Sequence, residues 1–111
     1  MKKLFTILFI TVISSISFAQ ESVEIPNIFT PNDDGKNDIF FVKSNGYNTL
    51  KCTIINRYGD VVYRFFGLNG NWDGYTPAGI PCVDGTYFVI VEVTNDAGEI
   101  TYYQGTLQLV R

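Results

Sequence analysis

The chain has 111 residues, 46% of them hydrophobic, with 8 Lys and Arg against 11 Asp and Glu and no His. That length supports one small domain, and an acidic chain without a basic stripe argues against nucleic acid as a partner. The missing imidazole removes the commonest metal ligand, nucleophile activator and proton shuttle at once, so an enzyme is not expected.

In chain order, "MKKLFTILFITVISSISFAQ" comes first. Lys2 and Lys3 make a short positive region, Leu4 to Ile16 an apolar run, and Ser17 and Ala19 are the small residues of a signal-peptidase site. The run is shorter than the roughly 20 apolar residues of a membrane-spanning helix. Residues 1–19 therefore read as a signal peptide, cleaved between Ala19 and Gln20, with no Cys nearby to carry a lipid. Without Lys2 and Lys3 the balance is 6 cations to 11 anions, a net charge of −5 for residues 20–111, with no integral membrane segment.

The remaining chain reads as short strands separated by turn clusters. "VEIPNIF" is extended, with Pro26 at an edge or bulge. Phe29 to Phe40, "FTPNDDGKNDIF", is a loop dense in Asn and Asp, and "DIFFV" is the strand expected after it. In "TLKCTIIN" Leu50, Cys52 and Ile54 share one side, "RYGD" turns the chain, and "VVYRFF" returns with Val61, Tyr63 and Phe65 on one face. Gly67 to Asp84 is a long Gly-, Asn- and Pro-rich connection. In "GTYFVIVEVTN" Tyr87, Val89, Val91 and Val93 make an unbroken apolar face, and "EITYYQGTLQLV" is the last strand or pair of strands, with a bulge or bend at Gly105. Nothing after residue 19 has a 3.6-residue period. An all-β fold follows: a small antiparallel, immunoglobulin-like β-sandwich of about seven strands in a single unit, 20–111.

The motifs carry little chemistry by themselves. Asn32, Asp34 and Asp38 offer the oxygen ligands that calcium takes, but Thr30 and Phe41 fall where a helix-flanked calcium loop has its first ligand and its bidentate Glu. The other reading is that these side chains bond their own backbone and hold the turn, leaving the domain without a cofactor. Trp72 in "NGNWDG" either caps the core or stands as a platform for a sugar ring. Cys52 and Cys82 permit a disulfide in an exported chain, or serve as two buried thiols; the sequence leaves both open.

Taken in order, "IPNIFTPNDDGKNDIF", "INRYGDVVY", "NWDG", "GIPCVDGTYFVIV" and "GTLQLVR" resemble the gliding motility-associated C-terminal domain, the type B sorting domain of the type IX secretion system of Bacteroidota. The resemblance runs from about Ile25 to Arg111. Its sorting motif falls on Thr30, Pro31, Asn32, Asp34, Gly35, Asn37 and Asp38, then on Asn56, Arg57, Tyr58 and Gly59. It continues on Trp72, Asp73 and Gly74, and on Gly85, Thr86 and Tyr87. Tyr58 departs from the usual Trp. The resemblance implies an address: a domain exported to the periplasm by its signal peptide, bound there by outer-membrane secretion machinery, and delivered to the cell surface or the medium. Its relatives usually follow a long passenger, whereas here only Gln20 to Glu24 lie between signal peptide and domain. The alternative is a secreted immunoglobulin-like module that binds glycans or proteins, with calcium as a stabiliser.

Overall fold

The computed structural model describes residues 21–111. The expected signal peptide, 1–19, and its cleavage point lie outside the described residues. Those that are described contain seven strands and no helix: β1 (Ser22–Glu24), β2 (Ile28–Phe29), β3 (Lys43–Asn45), β4 (Thr49–Ile55), β5 (Val61–Phe66), β6 (Gly85–Thr94) and β7 (Ile100–Leu109).

Five of them form one sheet in the order β2-β7-β6-β4-β5, and β1 pairs with β3 in a second, two-stranded sheet. The strong period-2 segments became the centre of the larger sheet. Cys52 lies opposite Val91 and Ile54 opposite Val89 between β4 and β6, while Tyr87 lies opposite Leu107 between β6 and β7. Strand alternation turns all of these side chains to one face. There Leu50, Cys52, Ile54, Tyr87, Val89, Val91, Val93, Leu107 and Leu109 are buried. Burying each aliphatic side chain contributes about 1.5–3 kcal/mol, which makes this face the main stabilising surface. The opposing layer is the β1–β3 sheet together with two long connections, which place Phe40, Val42, Tyr47, Trp72 and Cys82 in the same core.

Three local expectations are corrected. "DIFFV" keeps the alternation of an extended chain, with Phe40 and Val42 buried and Ile39 and Phe41 exposed, but it forms no ladder. Its backbone bridge to another segment is at Phe40, which exchanges both backbone hydrogen bonds with Trp72, at 2.8 and 2.9 Å. Gly105 is neither bulge nor bend, because β7 pairs with β6 in unbroken register and Gly105 faces Val89. Ile25 packs closely against the glycine: a Cβ at position 105 would lie 3.2 Å from Ile25 Cγ2. Finally, the sheet is not wholly antiparallel, since β2 runs parallel to β7. Pro26 sits where the chain leaves the β1–β3 sheet for the larger one, so the edge position expected of it is a change of sheet.

Candidate functional site

Sheet register alone brings the motif residues to one end of the sandwich. Gly85 opens β6 opposite Leu109, Phe29 of β2 is paired with that same Leu109, and the β4–β5 turn starts one residue beyond Ile55, opposite Phe88. The Asn/Asp loop, the 56–60 turn, the 72–85 connection and the end of β7 therefore gather together.

The Asn/Asp loop holds itself. Thr30 N–H donates to the Asn37 carbonyl at 2.8 Å, and the Thr30 hydroxyl donates to that of Lys36. Both carboxylate oxygens of Asp38 accept loop amides, one from Asn32 at 3.2 Å and one from Gly35 at 2.8 Å. Asn32 Oδ1 accepts from Asp34 N–H, and Asp34 Oδ1 from Lys36 N–H. The oxygens of the calcium candidates thus face the loop's own donors, the geometry of the turn reading. Gly35 has φ +80° and Asn37 φ +53°, the left-handed conformation that Gly and Asn accept most readily.

Asn56 plays the same part in the second turn. Its side-chain oxygen accepts the amides of Tyr58 at 2.9 Å and Asp60 at 3.0 Å, and Gly59 supplies φ +89°. Arg57 and Tyr58 are left pointing outward: the guanidinium lies 5.2 Å from the Tyr58 ring centre and donates to its hydroxyl.

Trp72 is turned the other way. It is 0% exposed, packs 5.2 Å from Phe29 and 5.6 Å from Tyr87 between ring centres, and stacks on Tyr63 at 6.3 Å. Its indole N–H donates to the Tyr75 carbonyl at 2.8 Å. The core-capping alternative holds, and the sugar-platform alternative loses its residue. Asp73 turns the chain by accepting the Tyr75 amide. Gly74, at φ +87°, is packed so closely that a Cβ would lie 3.2 Å from both Pro31 Cγ and an Arg111 nitrogen. Thr86 Oγ1 accepts from Gln108 Nε2 at 2.6 Å, and the Tyr87 hydroxyl donates to the Val83 carbonyl at 2.5 Å.

The disulfide alternative is not realised; Cys52 and Cys82 are free, buried thiols. Cys52 lies level with Val91, six residues along β6 from Gly85, whereas Cys82 belongs to the Gly85 end. That offset is about 20 Å at strand rise, against a Cα separation of roughly 4–7 Å for a bridge. Burial pushes the Cys52 thiol up to about 12. Burial also raises Cys82, opposed by the positive charge of Arg111.

Sequence reasoning missed Arg111 as a site residue. Its side chain donates to the carbonyls of Cys82 and Gly74, and it forms an ion pair with Asp84 at 3.4 Å. It also lies over the Tyr75 ring at 5.8 Å, while its amide donates to Asp84. It ties the end of β7 to both stretches of the 72–85 connection. No local pattern could have found it, because every partner is at least 27 positions away. Between this clasp and the Arg57–Tyr58 turn lies a cleft of about 220 Å³, lined by Asn56, Arg57, Tyr58, Val62, Val83 and Tyr87 among others. Small-molecule pockets run from about 300 Å³ upward, so this one suits a single side chain.

Comparison with known proteins gives the remaining findings. No curated protein matches the chain. The structure is similar to that of CopC from Methylosinus trichosporium OB3b, with a TM-score of 0.55, 12% identity, and coverage of 84% of this chain and 94% of that one. At that identity the likeness concerns the fold alone. The CHU_C type IX secretion signal domain model matches residues 23–109, nearly all of the described chain, and with it the order of motif blocks from Ile25 onward. The chain belongs to the CHU_C type IX secretion signal domain family.

Proposed function

We propose that this domain works as an export address, bound by a component of the outer-membrane type IX machinery at the end of the sandwich that carries Arg57, Tyr58 and the adjacent cleft. Family membership supports the sorting role. The choice of surface rests on Tyr58: it is 75% exposed, although the motif's other large aromatics, Trp72 and Tyr87, are buried. An exposed aromatic stacked with an arginine beside a cleft of side-chain size has the make-up of a binding hot spot. In this reading the cleft takes an apolar or aromatic side chain of the machinery, and the remaining motif residues shape the surface. Delivery begins with the signal peptide, passes through the periplasm and ends at the cell surface or in the medium. No catalytic step is involved.

The test is a reporter carrying a signal peptide and followed by residues 24–111, expressed in a host with the machinery and in a strain lacking it. Machinery-dependent release of the native fusion is expected. Release should fall at least tenfold in an Arg57→Ala/Tyr58→Ala double variant whose circular dichroism spectrum is unchanged. An intact native fusion retained in the periplasm sinks the sorting role. A double variant released as well as the native one moves the bound surface elsewhere.

A further inference from the structure

The two edges of the five-stranded sheet differ. On β5, Arg64 and an extra residue at Val62 interrupt the edge, where the register slips between Ile54 and Ile55. A charge and a bulge are the usual protections against another strand. On the far side, among the described residues, β2 pairs with β7 at Gln108 and Leu109. Among the described residues, Ile100 to Leu107 pair with β6 alone, in register, without a bulge, a proline or a charged residue. The amides of Gln108 and Val110 donate toward β2. Strand alternation puts the N–H and C=O groups of Tyr102, Gln104 and Thr106 on that same uncovered edge. Ile100 and Tyr102 beside it are 56% and 63% exposed.

We infer that the β7 edge pairs with the β7 edge of a second copy of this chain, antiparallel about a two-fold axis at Tyr103, joining the two sheets into one. The segment is self-complementary in that arrangement. Tyr102 meets Gln104 of the other copy and Ile100 meets Thr106 as hydrogen-bonded pairs, because all four carry the outward-facing groups. Thr101 meets Gly105 and Tyr103 meets its own counterpart between them. No like charges meet at any position, so the net negative charge of each copy is kept off the seam. A two-fold isologous contact is also the commonest way for a chain to bury its own surface. The proposal is independent of the surface assigned to sorting, since it uses neither the Arg57–Tyr58 turn nor the cleft.

The described fold lies within residues 21–111, so the chain from Gln20 to Arg111 is the sample for sedimentation equilibrium. Edge pairing alone gives a weak dimer, with a dissociation constant on the order of 0.1 mM. The expected result is a shift from monomer to dimer mass as concentration rises through that value, together with slower hydrogen exchange at the amides of Tyr102, Gln104 and Thr106. Gln104→Pro removes an outward N–H at a site where an edge strand accepts proline, and Gln104→Lys places a charge there. Both should remain monomeric at the same concentration with native circular dichroism. A native chain that stays monomeric up to about 1 mM, with exchange at these amides independent of concentration, overturns the proposal and leaves the edge to a strand of another protein. A dimer that survives both substitutions overturns it as well, by placing the contact elsewhere.

Discussion

Trp72 and Tyr58 belong to neighbouring blocks of one family motif, yet the first is wholly buried among Phe29, Tyr63 and Tyr87 while the second is 75% exposed. Around Trp72 the motif does the work of a core: Asp73 turns the chain, Gly74 lets Pro31 and Arg111 approach, and the indole N–H is satisfied. Around Tyr58 the scaffold is limited to Asn56 and Gly59, which hold the turn from beneath. A motif can therefore mix two kinds of residue, those that make a surface and those that are the surface. Their substitutions should separate cleanly.

The largest effect is expected at Trp72. Trp72→Ala removes the centre of the aromatic cluster and should cost about 3–5 kcal/mol, a large share of the 5–15 kcal/mol typical of a small domain. A urea melt reads this as a midpoint lowered by about 3–5 M at a typical slope of roughly 1 kcal/mol per M; a midpoint within about 0.5 M of native would mean that the indole is not the keystone of this end. Gly74→Ala comes next. Strain at φ +87° and the close Pro31 and Arg111 contacts should lower stability by about 2 kcal/mol, read as an earlier thermal midpoint. At Tyr58 the expected change is under about 0.5 kcal/mol for Tyr58→Ala, so the variant should melt with the native chain while losing release in the reporter assay. Equal melting losses at Trp72 and Tyr58 would erase the distinction.

Two measurements sharpen the same contrast between buried and exposed chemistry. The folded chain holds the Cys52 proton up to about pH 12, against 9.0 for an ordinary thiol. The stability this contributes is complete below pH 9 and is lost as pH rises through about 12. Alkaline titration followed by circular dichroism should show that loss, with a shallower slope in Cys52→Ala. A chromogenic thiol reagent should report two free thiols on unfolding without reductant, and almost no reaction at Cys52 beforehand. The smallest effect is expected at the Asn/Asp loop. Its side chains already accept its own amides, so calcium or a chelator should leave the thermal midpoint unchanged; a midpoint rising with calcium concentration would restore the metal reading.

Much of the fold was legible because alternation is a local signal. The buried faces of β4 and β6 follow from Leu50, Cys52 and Ile54 and from Tyr87, Val89, Val91 and Val93. What was not legible depended on distant partners. "DIFFV" has strand composition, but its bridging residue is Trp72 in a loop. Gly105 reads as a bend until Ile25 is found resting on it. At the candidate site, motif order named residues but not their direction, since nothing in "NWDG" or "NRYGD" says which aromatic turns inward. Arg111 was invisible for the reason that makes it useful: all its partners lie across the chain.

The switch of sheets at Pro26 has a mechanical consequence. β2 runs parallel to β7, held by Asn27 and Phe29 carbonyls that accept from Gln108 and Val110. Tension applied between Ser22 and Arg111 pulls these two strands in opposite directions along their own axes. The hydrogen bonds between them are then loaded together in shear rather than peeled apart one after another. β1, anchored in the other sheet, takes up the pull before it reaches them. A strand of only two residues thus becomes the clamp that resists extension when the domain is dragged by its ends.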